Sequence, residues 1–486
     1  MFSASSATVS SSTRATDSPR RRGAARLAAS VMASGLVMAG ALVGAGSAVA
    51  DEAPQHQGGA AAVLDGLKTY DRAVLHAGGR NQTLPAGLFE MTVDGGGKLK
   101  TYCIDINNPT QNQAKYLETP WNQTSLGSNK NAGKIRWILE HSYPQVDDLA
   151  ALAKQAGTGP LTEKTAAAGT QVAIWRYSDN ADVDATDGQA EKLADWLEHN
   201  AVDQAEPKAS LALDPAALSG KSGERLGPVT VHTNAGQVSV TPPADAASGV
   251  KVTDKSGKPV TVAADGAELY FDVPAGATDG SASLTVQATT SVPVGRVFAG
   301  VTKSQTMILA GSSESTVSAT ATGTWAKQGA IPAVSAKKNC AKGGVDVTAS
   351  NQGDEAFTFE LAGVKHTIEA GKSETVTVPV AEDQAYDFTV TGPNGFTKTF
   401  KGVLDCKTSG SGTGGTGGSG TDTQSGGDKP APATTGGGST GGSGDLAETG
   451  GSSATPVIAG VAIALVVVGG GAVFLLRKRQ TQTSAQ

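Results

Sequence analysis

The chain has three cysteines, at positions 103, 340 and 406 of its 486 residues. Cys340 and Cys406 lie at the two edges of one run of short β-like segments. A disulfide between them would close a long loop and stabilise the folded state by roughly 4 kcal/mol in the chain-entropy picture. Cys103, in "TYCIDINNPT", is left over. An odd cysteine in an exported chain points to an intermolecular bridge or a reactive thiol. A third reading needs no second cysteine: a thioester to a carbonyl of the same chain. The stretch "AAAGTQVAIWRYSDN" offers one such carbonyl, because Ala167, Ala168, Gln171, Ile174 and Trp175 share one stripe by i, i+3, i+4 spacing. Gln171 thus presents an amide on an otherwise apolar face. A buried amide is costly unless hydrogen-bonded. The helical pattern alone fits a satisfied core glutamine, and a covalent bond to sulfur would meet the same cost differently.

An amide is a poor acyl donor because nitrogen shares its lone pair with the carbonyl. Sulfur overlaps poorly with carbon, so a thioester is a better donor. Exchanging one for the other stores reactivity and releases ammonia. The step needs the thiolate of Cys103 and close approach, which can lower the barrier by ~7–11 kcal/mol. It needs no cofactor and no metal ion. Asp105, expected on the same strand face as Cys103, would accept the thiol proton or pass one to ammonia. Its plainer role is to cap the "NNP" turn. His141 is a lesser candidate and fits a surface position at a helix end. Tyr102, Trp137 and Trp175 would wall the site from water, a role that ordinary core packing also explains.

The elements that must position these groups lie in residues 57–205. Strand-like pieces, "GLFEMTVDG" and "KLKTYCIDI", come first. Four helical patterns follow. "KIRWILEHS" places Ile135, Ile138, Leu139 and Ser142 on one stripe, and "DDLAALAKQAG" ends at Gly157, a good C-cap. "KTAAAGTQVAIWRYS" and "AEKLADWLEHN" are the third and fourth. From 206 to 327 the period changes to short, alternating, β-branched segments, which suggests an antiparallel sandwich. Residues 335–407 form a smaller Ig-like β module, with an Asn-Gly hairpin turn in "GPNGF". Residues 408–445 are Gly/Ser/Thr-rich and cannot bury a core; as a coil they would span about 35 Å. The expected fold class is therefore multidomain, a mixed strand and helix domain followed by all-β modules.

Both ends carry addresses. Arg20, Arg21, Arg22 and Arg26 precede an apolar run and the small-residue site "AVA". This reads as a signal peptide over 1–50, cut between Ala50 and Asp51. The apolar pair of a twin-arginine signal is missing, which favours the general secretory route. Pro456 to Leu476 is uncharged and long enough to span hydrocarbon as a transmembrane helix. Arg477, Lys478 and Arg479 open a tail (477–486) expected on the cytoplasmic side. "LAETG", residues 446–450, resembles the LAxTG form of the sortase cell-wall sorting signal typical of high-GC Gram-positive bacteria. The resemblance implies cleavage between Thr449 and Gly450 by a class E-like sortase, and a bond from Thr449 to peptidoglycan. Ala447 stands where that signal usually has proline. The bulk of the chain is then expected on the cell surface, with a transient membrane-spanning precursor.

"YCID" in a strand followed by "TQVAIW" in a helix resembles the thioester domain, or TQXA domain, of Gram-positive surface adhesins. Tyr102, Cys103, Ile104 and Asp105 match one motif. Thr170, Gln171, Val172 and Ala173 match the other. The resemblance covers about 65–205 and implies that the Cys103 and Gln171 side chains join, with Asp105, Thr170, Tyr102 and Trp175 as assisting residues. It further implies a secreted adhesin of a Gram-positive actinobacterium. That adhesin would capture a lysine amine of a host or neighbouring-cell protein once, without turnover, so it is not an enzyme. The alternative is a structural wall spacer with a reduced, buried Cys103. Other classes fit poorly. The net charge of -6 gives no nucleic-acid footprint. The six histidines are scattered, which argues against a cysteine hydrolase and a zinc site. The G-x-G-x-x-G-like strings of the stalk follow no strand, so they do not signal dinucleotide binding.

Overall fold

The computed structural model describes residues 58–243 and 249–408. The expected signal peptide, sorting motif, transmembrane helix and cytoplasmic tail lie outside these residues, as does the linker beyond residue 408. Among the described residues no helix is long and apolar enough to cross a membrane.

The chain opens with a long hairpin, β1 (Ala61–Ala77) and β2 (Arg80–Val93). Gly78 and Gly79 make its turn at φ 58° and 74°, the left-handed pair that a tight hairpin turn requires. Next come β3 (Lys98–Cys103) and β4 (Lys115–Thr119), then the helices α1 (Ala132–Glu140), α2 (Leu149–Ala156) and α3 (Glu163–Ser178). β5 (Val183–Ala185) and α4 (Gly188–Asn200) complete this part. α2 ends as the sequence predicts, whereas the first helical pattern, read to Ser142, stops at Glu140, with His141 as its cap and Ser142 beyond it. Gly157 caps α2 in the left-handed region, and Asp148, Thr162 and Asp187 cap the starts of α2, α3 and α4. α3 is buried from Ala166 to Trp175, on all sides. Gly169 lets it approach α4, because a Cβ there would lie 2.4 Å from the Ala190 carbonyl oxygen.

The second module runs from β6 (Leu211–Asp214), β7 (Ala217–Lys221), β8 (Arg225–Thr233) and β9 (Val238–Thr241) through β10 (Lys251–Thr253), β11 (Val262–Ala263) and β12 (Glu268–Asp272) to β13 (Gly280–Ser291). The chain then leaves it. β14 (Val297–Gly300) and β15 (Met307–Ser312) return to the first sheet, whose order is β2-β3-β15-β14-β4-β1-β5. β1 also pairs with β2, so six antiparallel strands close on themselves and β5 attaches outside the ring. Closure leaves these strands little free edge. β16 (Glu314–Ala326) goes back to the second module, which has a four-stranded sheet (β10-β12-β8-β6) and a five-stranded sheet (β11-β9-β13-β16-β7).

The expected boundary between 57–205 and 206–327 is therefore corrected. Residues 297–312 are central strands of the first module, and the sandwich is wound around them. "RVFAG" and "TMILAG" are continuous apolar runs rather than alternating ones, because both of their faces are covered. One hydrophobic cluster runs through both modules, from Tyr102, Ile104 and Trp175 to Val229, Phe271 and Leu284.

Residues 332–403 carry β17 (Pro332–Asn339), β18 (Gly344–Asn351), β19 (Phe357–Leu361), β20 (Val364–Ile368), β21 (Ser373–Pro379), β22 (Ala385–Thr391) and β23 (Thr397–Val403). They have their own core, including Val345, Phe357, Phe359 and Phe400. Asn394 and Gly395, at φ 55° and 76°, turn β22 into β23 as the sequence predicts. Cys340 and Cys406 form a disulfide.

A buried ion pair fastens the first two modules. Glu118 on β4 accepts from Arg296 Nε at 2.8 Å, from the main-chain N–H of Ala60 at 3.1 Å and Ser210 at 2.9 Å, and from the Ser210 hydroxyl. Arg296 also donates to Glu206 at 2.6 Å. Arg296 and Glu118 are only 4% and 5% exposed, so removing one partner strands the other. Arg296→Met is expected to cost about 3–5 kcal/mol, read as a lower urea midpoint. Adding Glu118→Gln to the same chain should recover part of the loss.

Candidate functional site

Cys103 is the last residue of β3 and pairs with Met307 on β15. Gln171 lies in the middle of α3. Both are 0% exposed. The Gln171 carboxamide grips the Cys103 main chain from both sides. Its Oε1 accepts from the Cys103 N–H at 3.0 Å, and its Nε2 donates to the Cys103 carbonyl at 2.8 Å. The neighbouring motif residues meet as well: Thr170 sits beside the Tyr102 hydroxyl, which donates to the Tyr143 carbonyl at 2.6 Å. Two successive strand residues thus face two successive helix residues. The Thr170 hydroxyl also bonds back to the Ala166 carbonyl at 2.8 Å.

This arrangement suits acyl exchange. The N–H that holds Oε1 is aimed at the oxygen that gains negative charge when sulfur attacks the amide carbon. The main-chain N–H of Asp105 donates to the Cys103 sulfur at 3.2 Å. The Trp175 indole N–H has no partner of standard hydrogen-bond geometry, yet it lies close enough to the sulfur to favour the thiolate. Burial outweighs both, with the charges of Asp179 and Asp105 adding to it, and holds the Cys103 thiol well above its usual range. The thiol therefore needs a base.

Asp105 acts on the thiol through its charge, though not from the expected strand. β3 stops at Cys103, and Asp105 lies in the turn that follows. Its Oδ2 accepts from Asn108 Nδ2 at 2.6 Å, so it does brace the turn, while Oδ1 has no hydrogen-bond partner. Burial, then the charge of Asp405, push its carboxyl up to about 8. Asp179, the C-cap of α3, accepts from the Ile106 N–H at 3.0 Å and is raised by burial to about 6. His141 is not at the site: it bonds to the Trp137 carbonyl at 2.8 Å and stacks on Trp137, which faces Trp196. Trp175 is fully within the shell, at 1% exposure.

Three site residues escaped the sequence reading. Asp179 had a local signal, a carboxylate directly after the α3 pattern. Thr306, whose carbonyl accepts from the Ile104 N–H at 3.0 Å, and Asp405, which accepts from the Thr306 hydroxyl, had none. They reach the site only through long-range pairing. The expected sortase and signal cleavage positions, Thr449, Gly450, Ala50 and Asp51, lie outside the described residues.

Residues 100–203 match the thioester domain family. The match spans Cys103 and Gln171 and leaves out β1, β2, β14 and β15 of the sheet. Residues 332–403, the C-terminal module, match the bacterial phospholipase C C-terminal domain. Among solved structures the chain is similar to the Bacillus anthracis TIE protein, at 15% identity and a TM-score of 0.26, over 71% of this chain and 81% of that one. It is also similar to the thioester domain of the Enterococcus faecium TIE86 protein, at 15% identity and a TM-score of 0.26, over 55% of this chain and 97% of that one. No match was found among curated proteins.

Two outcomes follow for the thioester domain. Asp105→Asn removes the carboxylate but keeps the Asn108 contact; if that carboxylate takes the thiol proton in thioester closure, the purified variant should keep the full unmodified mass under conditions in which the parent is short by one ammonia. Second, Asp105, Asp179 and Asp405 all have folded-state carboxyls raised by burial, the last also to about 6. The folded state then binds more protons than the unfolded one from about pH 4 upward, and stability must fall as pH rises through this window. Thermal unfolding should show a falling midpoint from pH 5 to 8, flattened in Asp405→Asn.

Proposed function

We propose that this chain is a cell-wall-anchored surface adhesin in which the Cys103 sulfur and the Gln171 carbonyl form an internal thioester. The observation that carries the reading is the reciprocal pair of hydrogen bonds between the Gln171 carboxamide and the Cys103 main chain at 3.0 and 2.8 Å. It holds the Gln171 carboxamide against the Cys103 main chain, with an N–H on the carbonyl oxygen, in a site closed to water. In closure, the C–S bond forms, the C–N bond breaks, and the thiol proton leaves with ammonia. No outside reagent is consumed.

A nucleophilic amine, in particular a lysine of a host or neighbouring-cell protein, then attacks the Gln171 carbonyl carbon. The Cys103 thiol departs and an amide joins the two proteins. Each copy reacts once. The complete burial of the site protects the bond from hydrolysis, and the amine enters when the shell moves. The sorting signal, peptidoglycan linkage by a sortase, and export complete the reading from the sequence. The second reading is a structural wall spacer, favoured by the Gln171 hydrogen bonds themselves, since they satisfy the buried amide without any covalent bond.

The two readings part on intact mass. The mature chain from Asp51 should be short by one ammonia and show no free thiol. Methylamine should add to it and release one thiol, and Cys103→Ala should show neither effect. A full mass with a free thiol, unchanged by methylamine, would leave the spacer.

A further inference from the structure

The Asp105 main-chain N–H meets the sulfur itself, donating to Cys103 Sγ at 3.2 Å. The residues on either side of that donor are both pinned. The Ile104 N–H donates to the Thr306 carbonyl at 3.0 Å. The Ile106 N–H donates to Asp179 Oδ1, also at 3.0 Å. With both neighbours held, the Asp105 N–H has little freedom to turn away from the sulfur. Asp179 is itself fixed. Its Oδ2 accepts from the Ser178 hydroxyl at 2.6 Å, and its N–H closes the end of α3 on the Trp175 carbonyl at 3.0 Å. Gln171 stands on the same helix, about two turns earlier. One rigid element thus carries the acyl donor and, at its end, the clamp on the turn that faces the sulfur. The Asp179 side chain crosses to a segment 73 residues earlier in the chain, which capping a helix end does not call for.

We propose that Asp179 is a positioning residue for the thioester chemistry: by holding the Ile106 N–H it keeps the Asp105 N–H on the Cys103 sulfur, where that donor stabilises the negative charge that sulfur gains as the C–S bond breaks. The inference rests on the thioester reading. In capture, the amine nitrogen bonds to the Gln171 carbonyl carbon, the C–S bond breaks with its electron pair on sulfur, and one proton of the amine ends on that sulfur. A neutral thioester sulfur is a weak acceptor, and a thiolate is a stronger one. The hydrogen bond therefore strengthens on the way to the transition state, and only contacts of that kind speed the chemical step. The same donor favours the thiolate that attacks the Gln171 amide in closure. The charge of Asp179 works the other way, because it disfavours the thiolate. Position and charge thus pull in opposite directions, and substitution can part them.

The test uses the full mature chain. Excess methylamine opens the thioester, and the rate is followed by intact mass and thiol release. Asp179→Asn keeps an oxygen for the Ile106 N–H and removes the charge, so it should open at least as fast as the parent. Asp179→Ala removes both and should open about tenfold more slowly than Asp179→Asn. Arg296→Met, which weakens the fold away from the sulfur, should open at the parent's rate. If Asp179→Ala folds but keeps the full mass while Asp179→Asn is short by one ammonia, the donor has been lost from closure as well, which supports the role. If Asp179→Ala does not fold, Ser178→Ala takes its place: it frees Asp179 Oδ2 and should slow opening in the same direction. Equal behaviour of Asp179→Ala and Asp179→Asn, in opening or in closure, would overturn the positioning role. So would an equal slowing in Arg296→Met, or a parent-like rate in Ser178→Ala where it stands in. A parent with the full mass and a free thiol would overturn the thioester reading itself, whatever the variants do.

Discussion

The site depends on one contact, the double hydrogen bond between the Gln171 carboxamide and the main chain of Cys103. A side chain imitates a strand neighbour here. It fills the donor and acceptor that β3 leaves open where its ladder ends, and it does so from a helix. Every nearby element serves that register. α3 must be buried on all sides to bring Gln171 in, Gly169 must be small so that α4 can cover it, and β15 must hold β3 from the far side. The same contact sets the Gln171 amide against the main chain of the cysteine itself.

The energetics of the shell point the same way. A thiol and three carboxyl groups share a volume nearly closed to water, and burial favours the neutral form of each. The protein tolerates this because the groups divide a limited number of protons among them, with Asn108, Ser178 and Thr306 donating to the charges that remain. Such an arrangement is poor for stability at neutral pH and good for moving a proton over a short distance. A plain spacer has no evident need for it.

Much of the local structure was legible in the sequence. The stripe of Ile135, Ile138 and Leu139, the cap at Gly157 and the Asn394-Gly395 turn are written in a few adjacent residues and form as their patterns require, although Ser142, read onto the same stripe, lies beyond the end of α1. Cys103 and Gln171 were legible as a pair only through the resemblance of their motifs, since an amide on an apolar stripe is ambiguous alone. β1 was missed because its alternation is broken at Gly66 and by charged residues along its exposed half. The placement of β14 and β15 was not legible at all. Their pairing joins residues about 200 apart across an intervening sandwich, and nothing in a window of sequence encodes a partner at that distance. Asp405 was hidden for the same reason. The strand read from "KLKTYCIDI" was expected to run on to Ile106 and instead stops at Cys103, where Gln171 takes over the ladder.

The disulfide has a mechanical consequence. Tension entering at residue 408 reaches Cys406 almost at once and can cross to Cys340 at the end of β17. It need not pass through β18 to β23. The two cysteines are 66 residues apart in sequence, and that length of chain, drawn out at ~3.3–3.6 Å per residue, would add about 200 Å to a tether. The bond locks this slack away. Under load the C-terminal module therefore behaves as a short, nearly inextensible link, and among the contacts nearest the pull is the one that Asp405 makes with Thr306.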